Sequence, residues 1–403
     1  MAAINKSLET TREDVAKVLK RDLQSARRIV LGLDCWSKKG LTAAFLGISA
    51  AFFNPVSNLP QHILLNLHQI GHPHTGLMLA EKINKILTQW EIDGRKIMLA
   101  VTDNGSNMIK AIASVKLKVE GGNVDPDPES DLEVEHVGDD DDQEEQDPEL
   151  ESDEDDMTLE DESISMHRIP CVAHTLQLVL KEIDKNSAYT ALMTKSKALV
   201  KSIRQSSIAT ELLMGKCGKT VVTDCATRWN SSYLMLSRLV EIKGSLIEVM
   251  EEMRWDGLLN SEWARLVELV KLLGPFKEQT DNMQTDTLSL SVIIPSLLEL
   301  SLHLQDPSFT KALSQPLLNA LRRRFALFLD PLNEHFEPIA AAATFLDPSV
   351  AVSTMRRDDM IHLNQAAKVY IKQQVCRQWM SQLTLRITLY FRIYFNSTSR
   401  SGL

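Results

Sequence analysis

Two runs of strand-forming residues in the first hundred or so positions each end on an aspartate, and this pairing constrains the fold more than any other feature. The first reads Arg28-Ile-Val-Leu-Gly-Leu-Asp-Cys-Trp36. The second, Lys96-Ile-Met-Leu-Ala-Val-Thr-Asp-Asn-Gly-Ser-Asn-Met108, breaks at Asp103 into a turn of small polar residues. If the strands are neighbours, Asp34 and Asp103 stand together at one end of a sheet, where two carboxylates can share divalent metal against phosphate oxygens. The plainer reading is that each is a strand-end acid capping its own turn.

The surrounding pattern supplies a sheet for them. Residues 1–27 read as helical, and Ser25-Ala-Arg-Arg leads into the first strand. The run Ile29–Trp36, the turn signal Ser-Lys-Lys-Gly40 and the apolar stretch Leu41–Phe53 predict a hairpin. A short third strand is expected over Ile63–Ile70, after Pro60. Apolar residues at Leu77, Leu79, Ala80, Ile83, Ile86, Leu87 and Trp90 follow a helical period, with Thr75 as the N-cap. A strand over Ile97–Thr102 and a helix opening near Asn104 complete a β-β-β-α-β-α order, in which Asn104 and Asn107 are expected to stabilise the turn beyond Asp103 and the helix start through side-chain caps. That order fits an α/β layer fold with a mixed sheet, since three strands can meander antiparallel before the fourth returns through a crossover.

Charge is divided unevenly along the chain. The net charge is −10, yet residues 125–162 carry 22 Asp or Glu and no Lys or Arg. Outside that window 32 acids face 44 basic residues, a body of about +12. A basic body suits nucleic-acid contact. The acidic stretch cannot bury enough apolar surface to order itself, so residues 118–164 are expected to be disordered, either solvated or screening the basic surface. The cysteines (Cys35, Cys171, Cys217, Cys225 and Cys376) never pair as CxxC, which argues for a reducing compartment and against a structural zinc site. No apolar run approaches the roughly 18–20 residues of a membrane helix, and the N-terminus has no signal-peptide core.

Beyond the acidic window the texture is helical. His167–Leu180 has the spacing of a buried helix, as do Leu212–Met214, Tyr233–Val240 and Leu266–Phe276, with Gly274-Pro275 and Pro295 expected as punctuation. Gln382–Asn396 alternates in a strand-like way, unlike what precedes it, and suggests an atypical C-terminus.

Six motifs in this order resemble the hAT superfamily of DNA transposases and their relatives, the zinc finger BED domain-containing proteins. They are Asp34-Cys-Trp36; Val101-Thr-Asp-Asn-Gly-Ser-Asn-Met108, which follows Trp90; Arg168-Ile-Pro-Cys-Val-Ala-His174; Thr227-Arg-Trp-Asn-Ser-Ser-Tyr233; Leu269-Val-Lys-Leu-Leu-Gly-Pro-Phe276; and Ala343-Thr-Phe-Leu-Asp-Pro348. The resemblance implies an α/β fold with an RNase H-like mixed-sheet core, a large all-helical insertion or appended region, and a disordered acidic loop. On that plan residues 1–27 are an N-terminal helical segment, 28–117 the first part of the core, and 118–164 the acidic insertion. Residues 165–240 continue the core and start the helical region, 241–350 form the helical insertion, and 351–403 are an atypical tail.

The same resemblance assigns roles. Asp34 and Asp103 match the first two acids of the family's catalytic triad, which bind Mg²⁺ for in-line attack on a phosphodiester. Cys171 and His174 match its CxxH element, which with Asn104 helps shape the active site; a buried cysteine and a hydrogen-bonded histidine on a core helix is the bland alternative. Arg228 and Trp229 match a pair close to DNA, where Arg could contact phosphate and Trp could stack on a base or simply pack in the core. The family's third acid, a glutamate after the Phe-Leu-Asp-Pro element, has no counterpart: past Ser349 the acids are Asp358 and Asp359. Neither a BED finger nor the family's dimerisation segment is found, which removes the basis for homodimerisation by that route. The expected protein is therefore a domesticated, catalytically inactive nuclear one that binds DNA, chromatin or nuclear proteins, with Mg²⁺ confined to the ancestral site and no membrane partner. The alternatives are a Mg²⁺-dependent transposase or nuclease, and a protein-interaction scaffold.

Overall fold

The computed structural model describes residues 2–37, 43–71, 74–118, 163–225, 229–284, 290–354 and 357–374. They fall into two compact units, Met1–Pro170 and Cys171–Leu403.

The first unit opens with helix α1 (Ala2–Ser25), followed by strands β1 (Ile29–Ser37), β2 (Ala44–Asn54) and β3 (Leu59–Ile70). Helix α2 (Gly76–Gln89), β4 (Ile97–Thr102), α3 (Ser106–Ser114), and the short strands β5 (Lys116–Lys118), β6 (Ser163–Ser165) and β7 (Arg168–Pro170) complete it. Five strands form one mixed sheet in the order β3-β2-β1-β4-β7. The expected hairpin is present, with β1 and β2 antiparallel, and β4 returns parallel to β1. Alternation decides which face is buried. Ile29, Leu31 and Leu33 of β1 and Leu46, Ile48 and Ala50 of β2 point to one side, where Leu79, Ile83 and Ile86 of α2 and Met108, Ala111 and Ile112 of α3 join them in one core. Each such wholly buried Leu or Ile contributes about 1.5–3 kcal/mol relative to exposure.

Several expectations are refined here. β3 begins at Leu59 and runs through Pro60, because β3 is an edge strand and an edge tolerates a residue without an N–H donor. Thr75 caps α2 as expected, its hydroxyl accepting from the Met78 N–H at 3.3 Å. At the start of α3 the expected side-chain cap is absent, because Gly105 is the N-cap; Asn104 holds the preceding turn, as expected, through its contact with Arg168. His167–Leu180 is not one helix. Arg168–Pro170 pair in parallel with Ala100–Thr102, and a helix begins only after Cys171. The strand is only three residues long, below the length at which period-two alternation is visible in a sequence. Lys116–Lys118 pair antiparallel with Ser163–Ser165, so strand structure extends into both ends of the span expected to be disordered. The acidic window itself lies outside the described residues, as does Gln382–Asn396.

The α-helices among the second unit's described residues are α4 (Val172–Leu180), α5 (Ser187–Gln205), α6 (Ser207–Cys217), α7 (Trp229–Glu241), α8 (Lys243–Met253), α9 (Asn260–Asn282), α10 (Ile293–Leu304), α11 (Lys311–Arg324), α12 (Ala326–Leu329), α13 (Ile339–Leu346), α14 (Pro348–Thr354) and a helix over 361–374. Leu176 and Val179 of α4, Leu266, Leu269 and Leu272 of α9, and Leu317 and Leu321 of α11 are fully buried, and α4 packs against both α9 and α11. Neither expected proline break occurs. Pro295 is the third residue of α10, where its missing N–H would have no helical partner anyway. Pro275 lies inside α9, between buried Leu272, Leu273 and Phe276, so packing of the helix face outweighs the local penalty. No helix among the described residues is long and apolar enough to cross a membrane.

Candidate functional site

The last residue pair in the parallel ladder between β1 and β4 is Leu33 with Thr102. Asp34 and Asp103 come one residue later on each strand, so both leave the same end of the sheet from adjacent strands. Leu33 and Thr102 are buried; Asp34 takes the opposite face of β1 and has no register partner on β4, since Asp103 is the first residue after that strand. Asp34 is exposed and Asp103 half-buried.

The turn after β4 is tightly held. The Asp103 carboxylate accepts from the Gly105 N–H at 3.3 Å, the local bond that lets an aspartate turn a chain. Arg168, at the start of β7, then binds three groups in a row. Its Nε donates to Thr102 Oγ1 at 2.7 Å, and its Nη2 donates to the Asp103 carbonyl at 2.5 Å and to Asn104 Oδ1 at 2.8 Å. Burial pulls the Arg168 pKa down, while the Asp103 charge acts to raise it. Nothing in the sequence assigns Arg168 a role of its own. Its signal was faint: a lone basic residue opening a strand that was itself hidden. Asn104 thus serves the turn through Arg168 instead of capping α3.

Cys35, which follows Asp34 on β1 and packs against the core, responds to both acids. Its thiol is pushed up first by burial, then by the charge of Asp103 and then by that of Asp34. Both carboxylates therefore act on one sulfur atom, in agreement with the strand register.

The remaining expected site residues belong to the second unit. Cys171 is the N-cap of α4 without a side-chain cap, and its carbonyl accepts from Thr175 N and Oγ1, both at 2.9 Å. His174 follows within the first turn; both are half-buried. Trp229 opens α7 and is half-buried, and Arg228 lies outside the described residues. Of the late acids, Asp359 pairs with Arg357 at 2.7 Å, and Asp347 accepts from Ser291 and Ser349. Among the described residues no group of three or more His, Cys, Asp or Glu side chains could hold a metal. Two carboxylates at a strand end do suit one hard cation of the Mg²⁺ type, which keeps several waters and takes the rest of its shell from phosphate.

An acid pair at the end of a mixed sheet, on a unit that also carries crossover helices, defines an RNase-like α/β core. Two sequence-family models agree: the ZBED1 RNase-like domain matches residues 32–125, and the ZBED1 RNase-like helical domain matches 169–271. Several curated relatives align with the chain. One is named as a transcriptional regulator of Talaromyces stipitatus, 23% identical over 75% of this chain and 35% of its own length. An AC transposase of Zea mays is 24% identical over 65% of this chain and 29% of its own. Zinc finger BED domain-containing protein 4 of Homo sapiens is 24% identical over 32% of this chain and 12% of its own. The chain thus spans about a third or less of the relatives it matches. These matches support an hAT-type transposase-derived protein.

Proposed function

We propose that this chain is a domesticated transposase-like protein that acts in the nucleus by binding DNA or chromatin, without cutting it. The observation that carries this reading is the composition of the strand-end site. Among the described residues it offers two carboxylates, Asp34 and Asp103, and a guanidinium turned onto the backbone. A two-metal phosphodiester site needs more anionic ligands than that to hold both ions against their mutual repulsion. One Mg²⁺ held by Asp34 and Asp103 would supply a bridge to a phosphate oxygen, and Arg168 and Asn104 would keep the Asp103 turn in place for it. The basic body adds a second source of affinity, through release of counterions from phosphates. The regulator and BED-protein relatives are in keeping with a nuclear setting.

The test is binding of the full chain to single-stranded and duplex DNA across a salt series. The reading expects affinity that falls steeply with salt; a chain with no affinity for either form at low salt would refute it. A second reading, a Mg²⁺-dependent strand-cutting enzyme, is favoured by the adjacency of Asp34 and Asp103. It expects nicking with Mg²⁺ or Mn²⁺ that disappears in Asp103→Asn.

A further inference from the structure

Strand β3 leaves one edge of the main sheet open. Among the described residues it is the last strand on its side, paired with β2 on one flank. Its 12 residues, Leu59–Ile70, include no Asp, Glu, Lys or Arg. Edge strands are usually guarded against pairing with another chain by charged side chains, lysine above all. This edge carries apolar ones instead. Leu64 is 61% exposed, Leu67 53% and, beside them on β2, Phe53 52%. The register with β2 sets all three on the sheet face opposite to the buried Ile48 and Ala50.

A bulge decides what fits against that edge. Gly47 and Ser49 of β2 stand opposite Leu67 and Leu64, so β3 takes three steps where β2 takes two, and Leu65 is the extra residue. His62 and Leu64 before the bulge therefore share a face with Leu67 and Gln69 after it. A straight strand added outside would again be one residue short. A second β3 laid antiparallel would not be, because its own bulge gives the same three steps between Leu67 and Leu64. In that register Leu64 of one copy stands opposite Leu67 of the other, and His62 opposite Gln69. No charges meet, and Pro60, which has no N–H to donate, falls outside the paired span Gln61–Ile70.

We propose that the chain pairs with a second copy of itself through β3, antiparallel about a two-fold axis between Leu65 and Asn66, so that two five-stranded sheets become one. A strand without cations has nothing to offer a phosphate backbone, which sets DNA aside as the occupant of this edge. The pairing needs neither the strand-end acids nor the family's dimerisation segment, and it stands apart from the DNA-binding reading.

The experiment is sedimentation velocity of the full chain over a micromolar concentration series, for wild type and Leu67→Lys. The wild type is expected to shift from one-chain to two-chain mass, and Leu67→Lys to weaken that association by about tenfold or more, since two ammonium groups would be pressed against leucines. Circular dichroism of the variant checks that the single chain keeps its fold. The register is read separately by mixing Leu64→Cys and Leu67→Cys chains under mild oxidation. Residues opposite each other across strands are close enough for a bridge, so the mixture should give more disulfide-linked dimer than either variant alone or the wild type. A wild type that stays monomeric at every concentration, or that forms an open-ended series of larger species, refutes the proposal. So does a Leu67→Lys chain that dimerises as tightly as wild type, or a mixture that cross-links no more than its components.

Discussion

The Arg168 guanidinium donates to the main-chain carbonyl of Asp103, at 2.5 Å, and not to its carboxylate. That choice leaves the acid's oxygens for Gly105 N–H and for a cation, while the arginine, half-buried, spends its donors on Thr102, Asp103 and Asn104. Arg168→Ala should destabilise the first unit by about 2–3 kcal/mol, because it removes charge-assisted bonds to Thr102 Oγ1, the Asp103 carbonyl and Asn104 Oδ1. Arg168→Lys should recover little, since an ammonium cannot span three acceptors as the planar fork does. Denaturant unfolding of the two variants checks this.

Where α2 meets α3 there is no room for a methyl group. A Cβ on Gly76 would lie 2.6 Å from Lys110 Cβ, 3.1 Å from Ala111 N and 3.2 Å from Asn107 O, two of them backbone atoms that cannot step aside. Gly76→Ala should therefore cost about 1–3 kcal/mol by forcing the helices apart. Its neighbour Thr75→Ala, which only removes the cap on Met78 N–H, should cost about 1 kcal/mol. Thermal melts of both variants would rank them.

Asp347 ends α13 and ties it to the turn Leu290–Val292. Its pKa is held below the usual carboxylate range, first by the Ser291 hydroxyl at 2.6 Å, then by the Ser349 hydroxyl and N–H. Because the folded-state pKa lies below the unfolded one, the stabilisation is complete above the ordinary aspartate value of about 3.9 and is lost as pH falls through the folded pKa. Asp347→Asn should flatten that acid limb. Melting temperature measured from neutral pH down to below the aspartate range, in wild type and variant, gives the comparison.

If Asp34 and Asp103 share one cation, either Asp→Asn change should weaken Mn²⁺ binding by at least the roughly tenfold that loss of a supporting outer-shell group costs. Electron paramagnetic resonance of free Mn²⁺ reads this without any activity. Variants that bind as well as wild type would show that the two acids act separately, each in its own turn.

The sheet was legible where the chemistry is local. The hairpin of β1 with β2, the Thr75 cap and the helical period of α2 follow from alternation, spacing and a side-chain oxygen in place. The position of Asp34 beside Asp103 was legible as well, because both follow long apolar strands whose ends are unmistakable. What stayed hidden depends on distant partners. β7 is three residues long and exists only by pairing with β4, so neither it nor the role of Arg168 left a period to read. Pro60 is harmless because its strand is at an edge, and Pro275 because its helix is packed, and neither fact is written beside the proline. Asn104 looked like a helix cap by its neighbours in sequence; its partner comes from 64 residues away.

The most direct test of the whole account is a nicking assay on supercoiled plasmid with Mg²⁺ or Mn²⁺, run beside a binding assay on the same DNA, for wild type and Asp103→Asn. The account predicts salt-sensitive binding by the wild-type chain with no metal-dependent nicking. Nicking by wild type that vanishes in Asp103→Asn would contradict it and make the acid pair part of a working catalytic centre.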